Sequence, residues 1–297
     1  MRWQESALAI LFVLPALLMV CLFLYYPIGQ TLIFSLYDLR FTTELTSERF
    51  IGLGNYQAVW DNSAFWRSLR FTLYFVAMSI SLEFVIGMAM AMATFFVAKP
   101  LRALLRVIII IPWAIPPIIH AALFRWLFNS DVGLFGQILV NLGIVSEPPL
   151  FLFEPVLAAN SVVFAYVWKS SAITSIFFMS GLAIIPDSLH EAAQVDGARS
   201  WMRFRYITLP LLVPTIITTL LFRTIDAFRA FDIVYGLTQG TGGTEVLSYF
   251  AYQFYFRFNQ FGAGSAYALV TFVLVMTLSF FYIRRVMTYL QLRGHTP

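Results

Sequence analysis

The 297-residue chain is 60% hydrophobic and only 11% charged, with a net charge of +4 and a mean hydropathy of +0.80. Soluble domains carry about 25% charged residues, and their strands end after about 4–8 residues, so the composition excludes an ordinary soluble domain and points to an all-α protein that crosses a membrane several times. The modest positive charge does not imply a nucleic-acid partner, because such charge gathers in the cytoplasmic loops of membrane proteins.

Six apolar segments follow in chain order, over about 7–26, 69–97, 104–128, 157–185, 209–231 and 265–283. Each is long enough for a hydrocarbon core of ~30 Å at about 1.5 Å per residue. The first exceeds a signal-peptide core and is followed by "YYPIGQ" rather than a small-residue cleavage site, so it reads as a retained helix. It holds the lone Cys21, which rules out an internal disulfide. In the third, Pro112, Pro116 and Pro117 predict a kinked helix. No internal repeat is visible. The expected organisation is a first helix with its outer loop (1–68), a transmembrane core (69–284) with a charged loop at 186–210, and a basic tail (285–297).

Lys and Arg set the orientation. The connection after the second segment holds Lys99, Arg102 and Arg106 and no acid, and the tail holds Arg284, Arg285 and Arg293. The connection after the third holds Asp131, Glu147 and Glu154 and no base. The positive-inside rule then puts both termini and the 186–210 loop in the cytoplasm. Loops 38–67, 129–156 and 232–264 face outward. Two of these, "GLGNYQAVW" and "LTQGTGGTEVLSYFAYQF", mix turn residues with aromatics and are expected to pack. Pro148 and Pro149 block regular helix between segments three and four.

Several chemistries are missing. The only lysines are Lys99 and Lys169, and neither follows a glycine, so no Walker A sequence exists and "GTGGT" at 240–244 is a turn, not a phosphate loop. His120, His190 and His295 fit no metal spacing. No nucleophile elbow or zinc-protease pair appears. An enzyme is not expected, and no cofactor or metal is expected on this chain.

Ionisable groups inside the membrane are costly and mark function. Segment two carries Glu83, and segment four carries Lys169 beside Ser171 and Thr174. Segment five carries Arg223, Asp226, Arg229 and Asp232 at every third position, a row of about 14 Å along a helix. That row fits either a self-neutralising ladder, since opposite charges three apart pair, or a polar wall of a substrate path. No like-charged ring suggests an ion pore. Aromatics and hydroxyls dominate instead, a composition that permits sugar recognition by ring stacking and hydrogen bonding.

The charged stretch "HEAAQVDGARSWMRFRYITLPLL" (190–212) joins segments four and five. Ser188 with Glu191 fits a capping box that starts a helix, over about 189–195. Gly197 suits the left-handed turn that ends one. A second helical run covers 198–206, and Pro210 marks re-entry to the membrane. The product is a helix–turn–helix elbow. Taken alone it suits an amphipathic loop on lipid or a docking element for a soluble partner.

Here a resemblance becomes specific. Glu191, Ala192 and Ala193, then Gly197, Ile207, Leu209 and Pro210 match the spacing EAA-x3-G-x9-I-x-LP of permeases in ATP-binding-cassette (ABC) importers. Together with "FIGLGNY", "VWKSSAITS" and "FDIVYGLTQG", the chain resembles the MalF-type sugar permeases over most of its length. "LLFRTIDAFRAFDIVYGLT" and "LEFVIG" look most like the SugA-like trehalose permeases. The resemblance implies a type I importer fold with six crossings. It makes the elbow, with Asp196 and Arg199, a coupling helix in a groove of an ATP-hydrolysing subunit. It implies a second permease bearing the same motif, two ATPase subunits carrying ATP and Mg, and an extracytoplasmic solute-binding protein. The cargo would be a disaccharide such as trehalose, maltose or a related α-glucoside. Glu83, Lys169, Ser171, Thr174, Arg223 and Asp226 are the candidate path residues. Many members have "GGP" where this chain has "QGTGGTEV" after "LT", which bears on the choice of binding protein. The alternative class is a secondary carrier or channel that works without an ATPase.

Overall fold

The computed structural model describes residues 2–41, 46–97 and 99–294. In chain order, α1 (Arg2–Val20) passes through a π turn (Cys21–Tyr25) into α2 (Tyr26–Phe34). Strands β1 (Tyr37–Phe41) and β2 (Thr46–Phe50) pair antiparallel, Tyr37 opposite Phe50, and α3 (Gly54–Asp61) follows. Helices α4 (Ser63–Phe96), α5 (Lys99–Ala114), α6 (Pro117–Leu127), α7 (Leu134–Asn141) and α8 (Pro155–Leu182) come next. Then come α9 (Asp187–Val195), α10 (Ser200–Arg203), a π turn (Phe204–Thr208), α11 (Leu209–Phe228), α12 (Asp232–Leu237), α13 (Leu247–Tyr252) and α14 (Phe261–Gly294).

Among the described residues five helices are long and apolar enough to cross a membrane, or six when the bent pair α5 and α6 counts as one span. That matches the six predicted crossings, with three changes. The first crossing runs on to Phe34 rather than ending near residue 26. The third is broken, not merely kinked: α5 and α6 meet at 89°. Pro112 sits inside α5 without breaking it. The break falls at Pro116–Pro117 because a residue before proline is driven out of the helical region; Pro116 takes ψ 139°. The pairing of β1 with β2 was not anticipated. The π turns at Cys21–Tyr25 and Phe204–Thr208 each end two residues before a proline, at Pro27 and Pro210. A wider turn there relieves the clash of a proline ring with the preceding turn.

The chain divides into two compact units. In the unit of residues 1–66 and 250–273, the amide of buried Asn55 donates to the Ser35 and Tyr37 carbonyls at 2.9 and 2.8 Å. This ties the packed "GLGNY" segment to the hairpin. Gly262 lies so close to the Tyr37 carbonyl that a Cβ would collide with it. Tyr267 packs among Phe65, Phe250 and Phe254 and accepts a hydrogen bond from Asn62. In the other unit, Met88 and Ala91 of α4, Phe178 and Leu182 of α8, Ile185 just beyond α8, and Leu212 of α11 form one apolar core. Small residues bring these helices together, as close packing in membranes requires. A Cβ on Gly87 would meet Thr174, and one on Gly181 would meet Thr215 and Leu212.

Candidate functional site

Within the second unit, α4, α8 and α11 enclose a polar node. Arg223 of α11 donates from Nε to Glu83 Oε2 at 2.7 Å and from Nη2 to Glu83 Oε1 at 3.3 Å. Its Nη1 reaches Asp226 Oδ2 at 2.7 Å, and Nη2 also reaches the Tyr166 hydroxyl at 3.2 Å. Thr174 of α8 donates to Glu83 Oε2 at 3.1 Å. The Glu83 and Arg223 side chains are 1% and 6% exposed, whereas that of Asp226 is 60% exposed. One bidentate pair thus joins two helices in the buried interior, and its guanidinium holds a second carboxylate at an open surface. Four of the six candidate path residues meet here: Glu83, Thr174, Arg223 and Asp226.

That surface is the wall of a cavity of about 530 Å³, lined by Trp113 and Pro116 at the α5–α6 break, by Tyr166, Lys169 and Ser170 of α8, and by Arg223 and Asp226. Lys169, the fifth candidate, donates to the carbonyls of Trp113 and Ile115, each at 2.6 Å. Ser171, the sixth, is buried and turns its hydroxyl to the Val167 carbonyl. It lines an apolar groove with Met78, Leu82 and Trp168 instead of the polar cavity.

The row in segment five does not form a continuous ladder. Arg223 and Asp226 pair as spacing predicts, but α11 ends at Phe228, and Arg229 has left the helix at φ −91°, ψ 3°. Asp232 starts the separate helix α12. No ion pair of Arg229 or Asp232 is present among the described residues. Both line the cavity. Sequence reasoning missed Trp113, His120 and Tyr166 as lining residues. Tyr166 was findable, because it precedes Lys169 by three on one helix face; His120, buried and stacked on Trp168 at 5.7 Å, carries no such signal.

The charged elbow lies at one end of the same unit. Its first arm, α9, starts two residues before the expected point. Pro186 stands at the N-cap, no side chain caps the helix, and Asp187 supplies the acid of the first turn. The proposed Ser188 capping box is therefore not formed: the helix begins at Asp187, so Ser188 falls inside its first turn rather than at the cap position the box requires. Gly197 has φ +79°. The Ala198 and Gly197 amides donate to the Ala193 and Gln194 carbonyls at 2.8 and 3.1 Å, the double closure of a Schellman turn. The second arm is not separate from the crossing, since 200–228 is one helical span and Pro210 lies in its path. Arg203 reaches back to Gln194 at 3.5 Å. Glu191 borders a small cavity with Met92, His190 and Arg203. Glu191, Ala192, Asp196 and Arg199 are exposed, Ala193, Ile207, Leu209 and Pro210 half-buried. Val195 at 89% and Trp201 at 70% exposure place two large apolar side chains on the elbow's surface.

The family model described as "binding-protein-dependent transport system inner membrane component" matches residues 83–289, from the ion-pair glutamate through the elbow. The chain is 39% identical over 286 residues to the trehalose/maltose transport system permease protein MalF of Thermococcus litoralis, covering 96% of this chain and 95% of that protein. It is 36% identical over 283 residues to the trehalose transport system permease protein SugA of Mycobacterium tuberculosis, covering 95% and 90%. A bacterial ABC transporter involved in the import of the acidic polysaccharide alginate has a chain that superposes with a TM-score of 0.83 at 23% identity, covering 96% of each chain. The broken third crossing and the elbow are thus parts of a type I importer permease fold, and the chain belongs to the family of binding-protein-dependent transport system inner membrane components.

Proposed function

We propose that this chain is the permease subunit that carries a disaccharide, such as trehalose, maltose or a related α-glucoside, in the cavity between α5–α6, α8 and α11. The observation that carries this reading is the cavity itself. Its 530 Å³ lies within the range of about 300–1,000 Å³ typical of small-molecule sites. Trp113 and Tyr166 offer aromatic faces, and Asp226 offers a carboxylate held in place by Arg223. A carboxylate accepts hydrogen bonds from paired hydroxyls, and aromatic rings stack on the C–H faces of a sugar. The names of the two curated relatives agree with an α-glucoside cargo.

The elbow is the coupling element in this reading. Its exposed face, from Glu191 to Trp201, docks on a cytoplasmic ATPase subunit, which binds ATP and Mg. A second permease with its own motif completes the pathway, a second ATPase subunit completes the motor, and an extracytoplasmic binding protein delivers the sugar. Both termini lie in the cytoplasm. Closure of the ATPase pair moves the elbow, and because α10 runs unbroken into α11, the motion reaches the Arg223–Glu83 node as rigid-body rocking. The cavity then alternates between the two sides.

Uptake of labelled trehalose by the complete transporter in proteoliposomes tests the site, with Asp226→Asn as the variant. A rise in KM of about tenfold is expected, the effect of losing one hydrogen bond to a charged group, with ATPase stimulation by the binding protein retained. An unchanged KM places the sugar elsewhere.

A further inference from the structure

We propose that Lys169 is a positioning residue: its ammonium pins the carbonyl end of α5 and fixes the cavity wall at 113–117. The argument is one of backbone accounting. In a continuous helix the Trp113 carbonyl would accept from the amide of residue 117, but Pro117 has no N–H. The Ile115 carbonyl would accept from residue 119, which lies in the first turn of α6 beyond the 89° bend. Both carbonyls are therefore left without a helical partner, and in a membrane irregular backbone persists only where something else satisfies it. Lys169 reaches across from α8 and donates to both, each at 2.6 Å. The C-terminal end of a helix also carries about half a negative charge, so a cation is the favoured donor there.

An ammonium has three donors, and these two carbonyls take two of them. Lys169 is thus engaged in holding the wall rather than presenting an unengaged charge to the path. This separates it from Asp226, which is held by Arg223 yet open to the cavity. The pin also explains how a bend this sharp keeps Trp113 and Pro116 beside Tyr166 in one cavity. That the wall faces a transported sugar rests on the function proposed above; that the pin holds the wall does not.

The test reads the wall without any sugar. In the complete transporter, Ala114→Cys in a Cys21→Ser background serves as a reporter, labelled by a membrane-impermeant maleimide and counted on this chain alone. Lys169→Met is expected to change the labelling rate at least fivefold. Lys169→Arg, which keeps the cation and can span both carbonyls, is expected to stay close to the parent rate. Labelling of Lys169→Met at the parent rate overturns the proposal, and so does a Lys169→Arg rate shifted as far as that of Lys169→Met. If Lys169→Met fails to assemble while Lys169→Arg assembles and labels normally, the need for a cationic donor stands; failure of both to assemble overturns it. Trehalose transport that is unchanged in Lys169→Met despite the shifted labelling rate would instead count against the sugar reading alone.

Discussion

Removing one partner of the Glu83–Arg223 pair should destabilise the transporter, and removing Arg223 should do so more than removing Glu83. Glu83→Leu leaves Arg223 with Asp226 at 2.7 Å and the Tyr166 hydroxyl at 3.2 Å. Asp226 is 60% exposed, so its attraction is screened but not lost. Arg223→Met leaves a carboxylate that is 1% exposed with only the Thr174 hydroxyl at 3.1 Å. Breaking a buried pair costs about 3–5 kcal/mol; Glu83→Leu belongs at the low end of that span and Arg223→Met at the high end. At about 2 °C per kcal/mol for a chain of this size, the midpoint should fall by roughly 6 °C and 10 °C. The double variant removes both charges, and an apolar replacement of a buried pair is often neutral, so it should recover most of the loss. Thermal melts of the detergent-solubilised transporter, followed by gel-filtration fluorescence, measure all four forms. A double variant that loses the sum of the two single losses, or a Glu83→Leu form less stable than Arg223→Met, would show that the two side chains do not act as a buried pair.

Two further outcomes concern the elbow. Glu191→Lys reverses a charge on an exposed surface, so folding should be unaffected while ATP-driven uptake is abolished; retained uptake with normal ATPase co-purification would remove Glu191 from the coupling role. Gly197 sits at φ +79°, a region that costs an L side chain about 1–2 kcal/mol. Gly197→Val should therefore weaken ATPase co-purification by about tenfold while leaving membrane insertion intact, and unchanged co-purification would show that the turn geometry is not what the partner reads.

Hydropathy was enough to reveal the crossings, because each apolar run is long and few soluble alternatives exist. It could not reveal that the third run is two helices at 89°. The prolines pointed to a bend, but whether three prolines kink or break a helix depends on which carbonyls find other donors. That donor, Lys169, comes from another helix. The same limit applied to the node. Glu83 and Thr174 were suspicious as polar residues in lipid, yet their partnership with Arg223 joins positions far apart in the chain. Local spacing predicted the Arg223–Asp226 pair, then overran the helix end at Phe228 and extended a row that the backbone does not continue. In the elbow, the Gly197 turn was legible because a positive φ needs a residue without a Cβ. The Ser188 cap was misjudged because the helix already begins at Asp187.

In the proposed function the elbow delivers the energy of ATP hydrolysis on a partner chain to a sugar cavity in this one. The most direct test of this coupling compares trehalose uptake into proteoliposomes containing this chain alone with uptake by the chain assembled with its second permease, ATPase subunits and binding protein. The account predicts uptake against a gradient only in the full assembly and only with hydrolysable ATP. Sugar flux through the isolated chain, independent of ATP, would contradict it.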